Sequence, residues 1–205
     1  QPRSRGLGDV YKRQSLLIGV FLGSIAGFFG GRIDQLIMWI INVVWSIPTL
    51  LMVIAITLAL GKGFWQVFVA VGLTMWVEVA RIVRGQVIAI RELEYIEASK
   101  VLAYSPFRII IKHILPNVIG PVIVISAANF AAAILIEAGL SFLGIGAQPP
   151  IPSLGRMLAD SQTMISIAPH MAIFPGMVIV ITVLGLNLMG DGLRDYFDPK
   201  LIGLK

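Results

Sequence analysis

The chain of 205 residues contains no cysteine and only two histidines. That removes disulfides, thiolate metal sites and cysteine nucleophiles. His113 and His170 are too far apart in sequence to suggest a clustered metal site. Charge is scarce as well: 13% of the residues are Asp, Glu, Lys or Arg, where soluble domains carry about 25%. No Gly-x-x-x-x-Gly-Lys-Ser/Thr phosphate loop occurs, and Gly61-Lys62-Gly63 lacks its frame, so the chain is expected neither to bind nor to hydrolyse ATP. With so few polar residues in the apolar runs, no Ser-His-Asp set is credible, and no catalytic or cofactor-binding residue is assigned. The formal net charge is +5, but the basic residues sit in loops without interleaved aromatics. This is not the footprint of a nucleic-acid-binding protein.

What is abundant is apolar surface: 57% of the chain. A membrane helix needs roughly 20 apolar residues, and five stretches qualify: Ser15–Gly31, Leu36–Leu60, Gly63–Ala80, Val118–Leu140 and Ala168–Gly190. Leu36–Leu60 carries no charge at all. An all-α polytopic membrane protein of about five spans follows. Arg32, Arg81, Arg84, Arg91, Lys100, Arg108, Lys112, Arg194, Lys200 and Lys205 fall on one side, and only Lys62 and Arg156 on the other. The positive-inside rule makes the first side cytoplasmic. Residues 1–14, with Arg3, Arg5, Lys12 and Arg13, break this pattern. They read as a non-native or truncated leader rather than as a signal peptide, because no convincing cleavage site follows. Residues 15–200 form the membrane domain and 201–205 a tail.

Within the spans, Gly19, Gly23, Gly27 and Gly31 recur every fourth residue, a smooth stripe on which another helix backbone can lie closely. Glu78 precedes Arg81 by three residues, the spacing of a local ion pair. Intramembrane acids and amides are functional candidates, so Glu137 and Asn129 are the candidates for a translocation path. Glu137 either meets a substrate amino group at an outer gate, snorkels to the headgroups, or pairs with another subunit. Asn129, like Asn42 and Asn187, equally suits a hydrogen bond between helices. The outer loop, 141–169, contains Gln148-Pro149-Pro150-Ile151-Pro152 and is predicted to form a short helix around Leu154–Gln162.

One polar island interrupts this pattern, Arg81 to Asn117. Residues 92–103 predict a short helix with Glu92, Glu94 and Glu97 early, where they suit the helix dipole, and Ile96, Ser99 and Ala103 on a face small enough to enter a groove of another protein. Ser105-Pro106 restarts the chain as N-cap and first helical residue. The next helix, 106–115, is amphipathic and suits the lipid interface. Pro116 is expected to break it before the fourth span.

Glu97-Ala98-Ser99, then Ala103, then His113-Ile114-Leu115-Pro116 resembles the cytoplasmic signature loop of permease subunits of binding-protein-dependent ABC importers. That pattern is Glu-Ala-Ala, three residues, Gly, nine residues, Ile, any residue, Leu-Pro. Glu97, Ala98, Leu115 and Pro116 match it. Ser99, Ala103 and His113 depart from it. His113-Ile114-Leu115-Pro116-Asn117, Leu140-Ser141-Phe142-Leu143-Gly144, Gln148-Pro149-Pro150 and the tail from Asn187 to Asp195 are similar to the dipeptide, oligopeptide and nickel branch. The resemblance implies a type I importer permease fold, usually of six helices. It implies alternating access in a bacterial or archaeal cytoplasmic membrane and a coupling loop (81–117) docked into an ATPase. The implied partners are a second permease subunit, two ATPase subunits that hold ATP and Mg, and an extracytoplasmic solute-binding protein. A short peptide is the expected solute. Nickel or another small solute is the alternative, and an ion-coupled secondary transporter with broken helices a more distant one. At position 103 the resemblance leaves two roles for the family Gly, a backbone bend or close packing within a helix. Because Ala keeps a small side chain, packing is expected.

Overall fold

The computed structural model describes residues 7–197. Every regular element among them is helical. They run α1 (Leu7–Phe29), α2 (Gly31–Trp45), α3 (Thr49–Leu60), α4 (Phe64–Arg91), α5 (Glu94–Val101) and α6 (Pro106–Ile109). A π turn (Ile110–Ile114) then leads directly into α7 (Leu115–Phe142), followed by α8 (Leu154–Ser161), a 3-10 turn (Gln162–Met164) and α9 (His170–Phe197). α4, the continuous Pro106–Phe142 unit and α9 are long and apolar enough to cross a membrane. α2 and α3 meet that test only as a pair, bent by 83°, and α1 supplies a shorter apolar segment, Gln14–Phe29. The chain is thus a multi-pass membrane protein, and its Arg- and Lys-rich end is called inner below.

Three expectations need revision, on the run 36–60, the end of the third span and Pro116. α1 begins at Leu7, within the stretch 1–14 read as a leader. Residues 1–6 of that stretch and the tail 201–205 lie outside the described residues. The uniform run 36–60 is not one continuous helix but falls on two, α2 and α3, bent at Ser46–Pro48. Pro48, with no N–H to give and φ −52°, ψ 126°, stands as an extended N-cap of α3.

The third span does not stop at Arg81 but runs on to Arg91, because each arginine finds a partner. Arg81 lies over the Trp45 ring, 3.8 Å from its centroid, rather than beside Glu78. Arg84 grips Asp34 of α2 with two hydrogen bonds of 2.5 and 2.6 Å. Arg91 donates to the Gly27 and Phe28 carbonyls at 2.9 and 3.3 Å, closing the C-terminus of α1.

Pro116 does not break its helix either. Proline removes one i−4 bond and crowds the carbonyl four residues back. The preceding turn widens instead, with the Leu115 N–H donating to Ile110, five residues away.

The glycine stripe behaves as its spacing predicts. Gly19, Gly23 and Gly27 lie directly on α4, where a Cβ at Gly23 would stand 2.5 Å from the Ala80 carbonyl oxygen. Gly31 leaves the stripe. With Gly30 it makes the left-handed turn into α2, at φ 65° and 54°. Val79, Val83 and Val87, the α4 side chains that face the stripe, join Ile90, Ile96, Ile109, Ile110, Ile114 and Val118 in a buried cluster. This cluster fixes the island to the inner ends of the spans.

Candidate functional site

α5 forms because Leu93 enters it extended, Glu94 and Glu97 occupy its first turn, and Lys100 its last. Ile96, wholly buried, points into the cluster of Val87, Ile90, Ile109, Ile110 and Ile114. Ser99 is buried beside it and donates from Oγ to the Tyr95 carbonyl at 2.8 Å. Ile96 and Ser99 of the small face therefore serve the protein's own core, a correction to the expectation that they enter a partner, while Ala103 stays outside it. Glu94, Glu97, Ala98, Val101, Leu102 and Ala103 are exposed. Val101 is 86% and Leu102 65% accessible. The end of this short helix thus presents two large apolar side chains beside the exposed carboxylates of Glu94 and Glu97.

α5 ends in a Schellman turn. Ala103 N–H donates to Lys100 at 2.9 Å and Tyr104 N–H to Ser99 at 3.2 Å. Ala103 carries φ 54°, the left-handed region. Position 103 is a backbone bend, so the packing role expected for it is overturned. Alanine is strained there by about 1 kcal/mol. Ala103→Gly is accordingly expected to raise stability by roughly that amount, read as a higher midpoint in thermal unfolding of the detergent-solubilised chain. A lowered midpoint would contradict the strain.

Ser105 caps α6 as predicted, accepting from the Arg108 N–H at 3.3 Å. Tyr104, which the sequence reading passed over, holds the corner. His113 stacks on its ring with centroids 6.1 Å apart, and the Arg108 guanidinium lies 4.1 Å from its centroid. Leu115 is half-buried against the central cluster, and Pro116 is exposed at the foot of α7. The structure thus places Glu97, Ala98 and Ala103 on one exposed surface, Ser99 beneath it, and Leu115 and Pro116 outside it. Asn117 joins the two groups, since its Nδ2 donates to the His113 carbonyl at 2.6 Å and to Tyr95 Oη at 3.4 Å. The available signal for these residues was their type: two tyrosines and an asparagine beside the Leu-Pro step in a polar loop.

The candidates on α7 do not converge. Asn129 and Glu137 are eight residues apart, about 12 Å along the axis and about 80° around it. The Asn129 side-chain nitrogen is buried without a hydrogen-bond partner. The Glu137 carboxylate accepts from Ser141 Oγ at 2.7 Å, and Ser141 Oγ accepts from the buried Ala147 N–H at 2.9 Å. This chain of bonds pins the outer loop where it leaves α7. Ser141→Ala strands the Ala147 N–H and is expected to cost about 1–3 kcal/mol, measured as faster amide exchange across 143–148. Unchanged exchange would remove the pinning role.

The family model of the binding-protein-dependent transport system inner membrane component matches residues 19–203. The oligopeptide transport system permease protein of Bacillus subtilis is 44% identical over 186 residues, 91% of this chain and 61% of that protein. The dipeptide transport system permease protein of the same organism is 46% identical, over 90% of this chain and 58% of that protein. The glutathione transport system permease protein of Pectobacterium atrosepticum is 41% identical, over 91% and 62%. The chain therefore spans about three-fifths of the length of these relatives. In fold it is similar to a chain of the MetNI methionine ABC transporter in its inward-facing form. The TM-score is 0.74 and the identity 17%, over 94% of this chain and 92% of that one.

Proposed function

Since this chain belongs to the family of binding-protein-dependent transport system inner membrane components, we propose that it is a permease subunit of an ATP-driven importer of short peptides. The observation that carries this reading is α5, an exposed apolar and acidic helix clamped to the inner ends of α4 and of the α6–α7 unit. Its surface suits a cytoplasmic ATPase subunit that binds ATP and Mg. A second permease subunit and an extracytoplasmic solute-binding protein complete the assembly in a bacterial or archaeal cytoplasmic membrane. The names of the relatives favour peptides over nickel as the solute. The broken α2–α3 span is the one feature shared with an ion-coupled secondary transporter. The family argues for ATP as the energy source instead.

Proteoliposomes containing both permeases, both ATPases and the binding protein should take up a radiolabelled dipeptide with ATP and not without it. Uptake driven by a proton gradient in the absence of the ATPases would overturn the reading.

A further inference from the structure

On its inner half the molecule has a cleft of about 510 Å³ between α4, α7 and α9. Pockets for small organic ligands measure about 300–1,000 Å³, so the space suits a molecule of dipeptide size. Nearer the outer ends of the same helices, Val71 and Met75 of α4 and Ala133 and Leu140 of α7 belong to one buried cluster. On the inner side the Phe197 ring packs against Gly120, so closely that a Cβ there would stand 3.1 Å from it. The walls of the open cleft are largely apolar, with Pro121, Val124 and Ala128 from α7. Polarity comes from two side chains, Gln86 of α4 and Arg194 of α9.

Arg194 belongs to the tail motif from Asn187 to Asp195, which the coupling surface leaves unexplained. Asp191 and Asp195 are near it in sequence, yet among the described residues Arg194 forms no ion pair. A guanidinium beside apolar walls presents two parallel N–H groups that match a carboxylate. The cleft lies in the inner half of the spans, at the foot of α9, where a solute leaving for the cytoplasm would pass.

We propose that this cleft is an inner station on the solute's route, in which Arg194 holds the terminal carboxylate of a short peptide and Gln86 donates its amide to the same group. This rests on the peptide reading above. The apolar walls take whatever side chains the peptide carries, so the site selects the charged terminus and tolerates sequence.

The test is equilibrium binding of a radiolabelled dipeptide, and of its C-terminal amide, to the purified complex of permeases and ATPases without binding protein. The complex is held in nanodiscs of neutral lipid and again of anionic lipid. The acid should bind about tenfold more tightly than the amide in both, the scale of one charge-assisted contact. In Arg194→Gln the ratio should fall to about one while the complex elutes intact, and Arg194→Lys should restore part of it. Equal binding of acid and amide to the wild-type complex overturns the proposal. So does a preference seen in neutral lipid but lost in anionic lipid, which would make Arg194 a headgroup site. Failure of the wild-type complex to import any dipeptide would instead remove the peptide reading itself.

Discussion

Gly23→Val is expected to yield little or no monodisperse protein on detergent extraction. A Cβ at this position would lie 2.5 Å from the Ala80 carbonyl oxygen and 2.9 Å from the Val83 Cβ. The nearer atom is backbone, so no rotamer change relieves the clash. Gly19 and Gly27 repeat the situation one turn to either side, with nearest approaches of 2.5 Å and 2.8 Å. The helices must separate along the whole seam, and in a membrane this packing is itself the main source of association. Overpacking a core costs about 1–3 kcal/mol, and more where the obstacle cannot move. Gly85 is the control, since its Cβ would meet nothing within 4 Å. Gly85→Ala should elute from size exclusion like the wild-type chain, and a wild-type profile for Gly23→Val would refute the close seam.

Glu97→Arg is the second large effect, and it acts on assembly rather than on folding. The side chain is exposed and lies in the first turn of α5. Reversing it costs the helix only a few tenths of a kcal/mol through its dipole. It also places a cation where the proposed ATPase subunit would meet an anion, and such charge reversals cost several kcal/mol in binding. The amount of chain in the membrane should therefore be unchanged, while co-purification of the ATPase falls at least about tenfold. Removing Glu97–Ala103 altogether should abolish ATP-driven peptide uptake. Uptake that survives this deletion would detach the surface from coupling.

The spans and the glycine seam were legible in the sequence because both are written as long repeats that only a membrane interior tolerates. The α2–α3 break was not. Leu36–Leu60 is uniformly apolar, and the bend rests on the short Ser46-Ile47-Pro48 step. Arg81 gave a false boundary for a related reason. A charge inside a span reads as an end unless its partner is known, and Trp45 and Asp34 become partners of Arg81 and Arg84 only when α2 folds back.

In the site, the early position of Glu97 in a short helix was legible from the acidic first turn, and the exposure of Ala98 beside it came only from the structure. The role of Ser99 was inverted, because a small residue suits a partner's groove and the protein's own core equally well. Ala103 was misread because substitution of Gly by Ala suggests retained packing, whereas the backbone still turns left-handed there. Tyr95, Tyr104 and Asn117 carry contacts that no periodicity announces.

The large buried side chain of α5 has a mechanical consequence. Ile96 shares one buried cluster with Val87 and Ile90 of α4 and with Ile109, Ile110 and Ile114 of the α6–α7 unit. It works as a pivot pin shared by two beams. In the coupling proposed above, thrust on Val101 or Leu102 would enter both beams at this point. Displacement is then converted into tilt, small at the pin and largest at the far tips of α4 and α7.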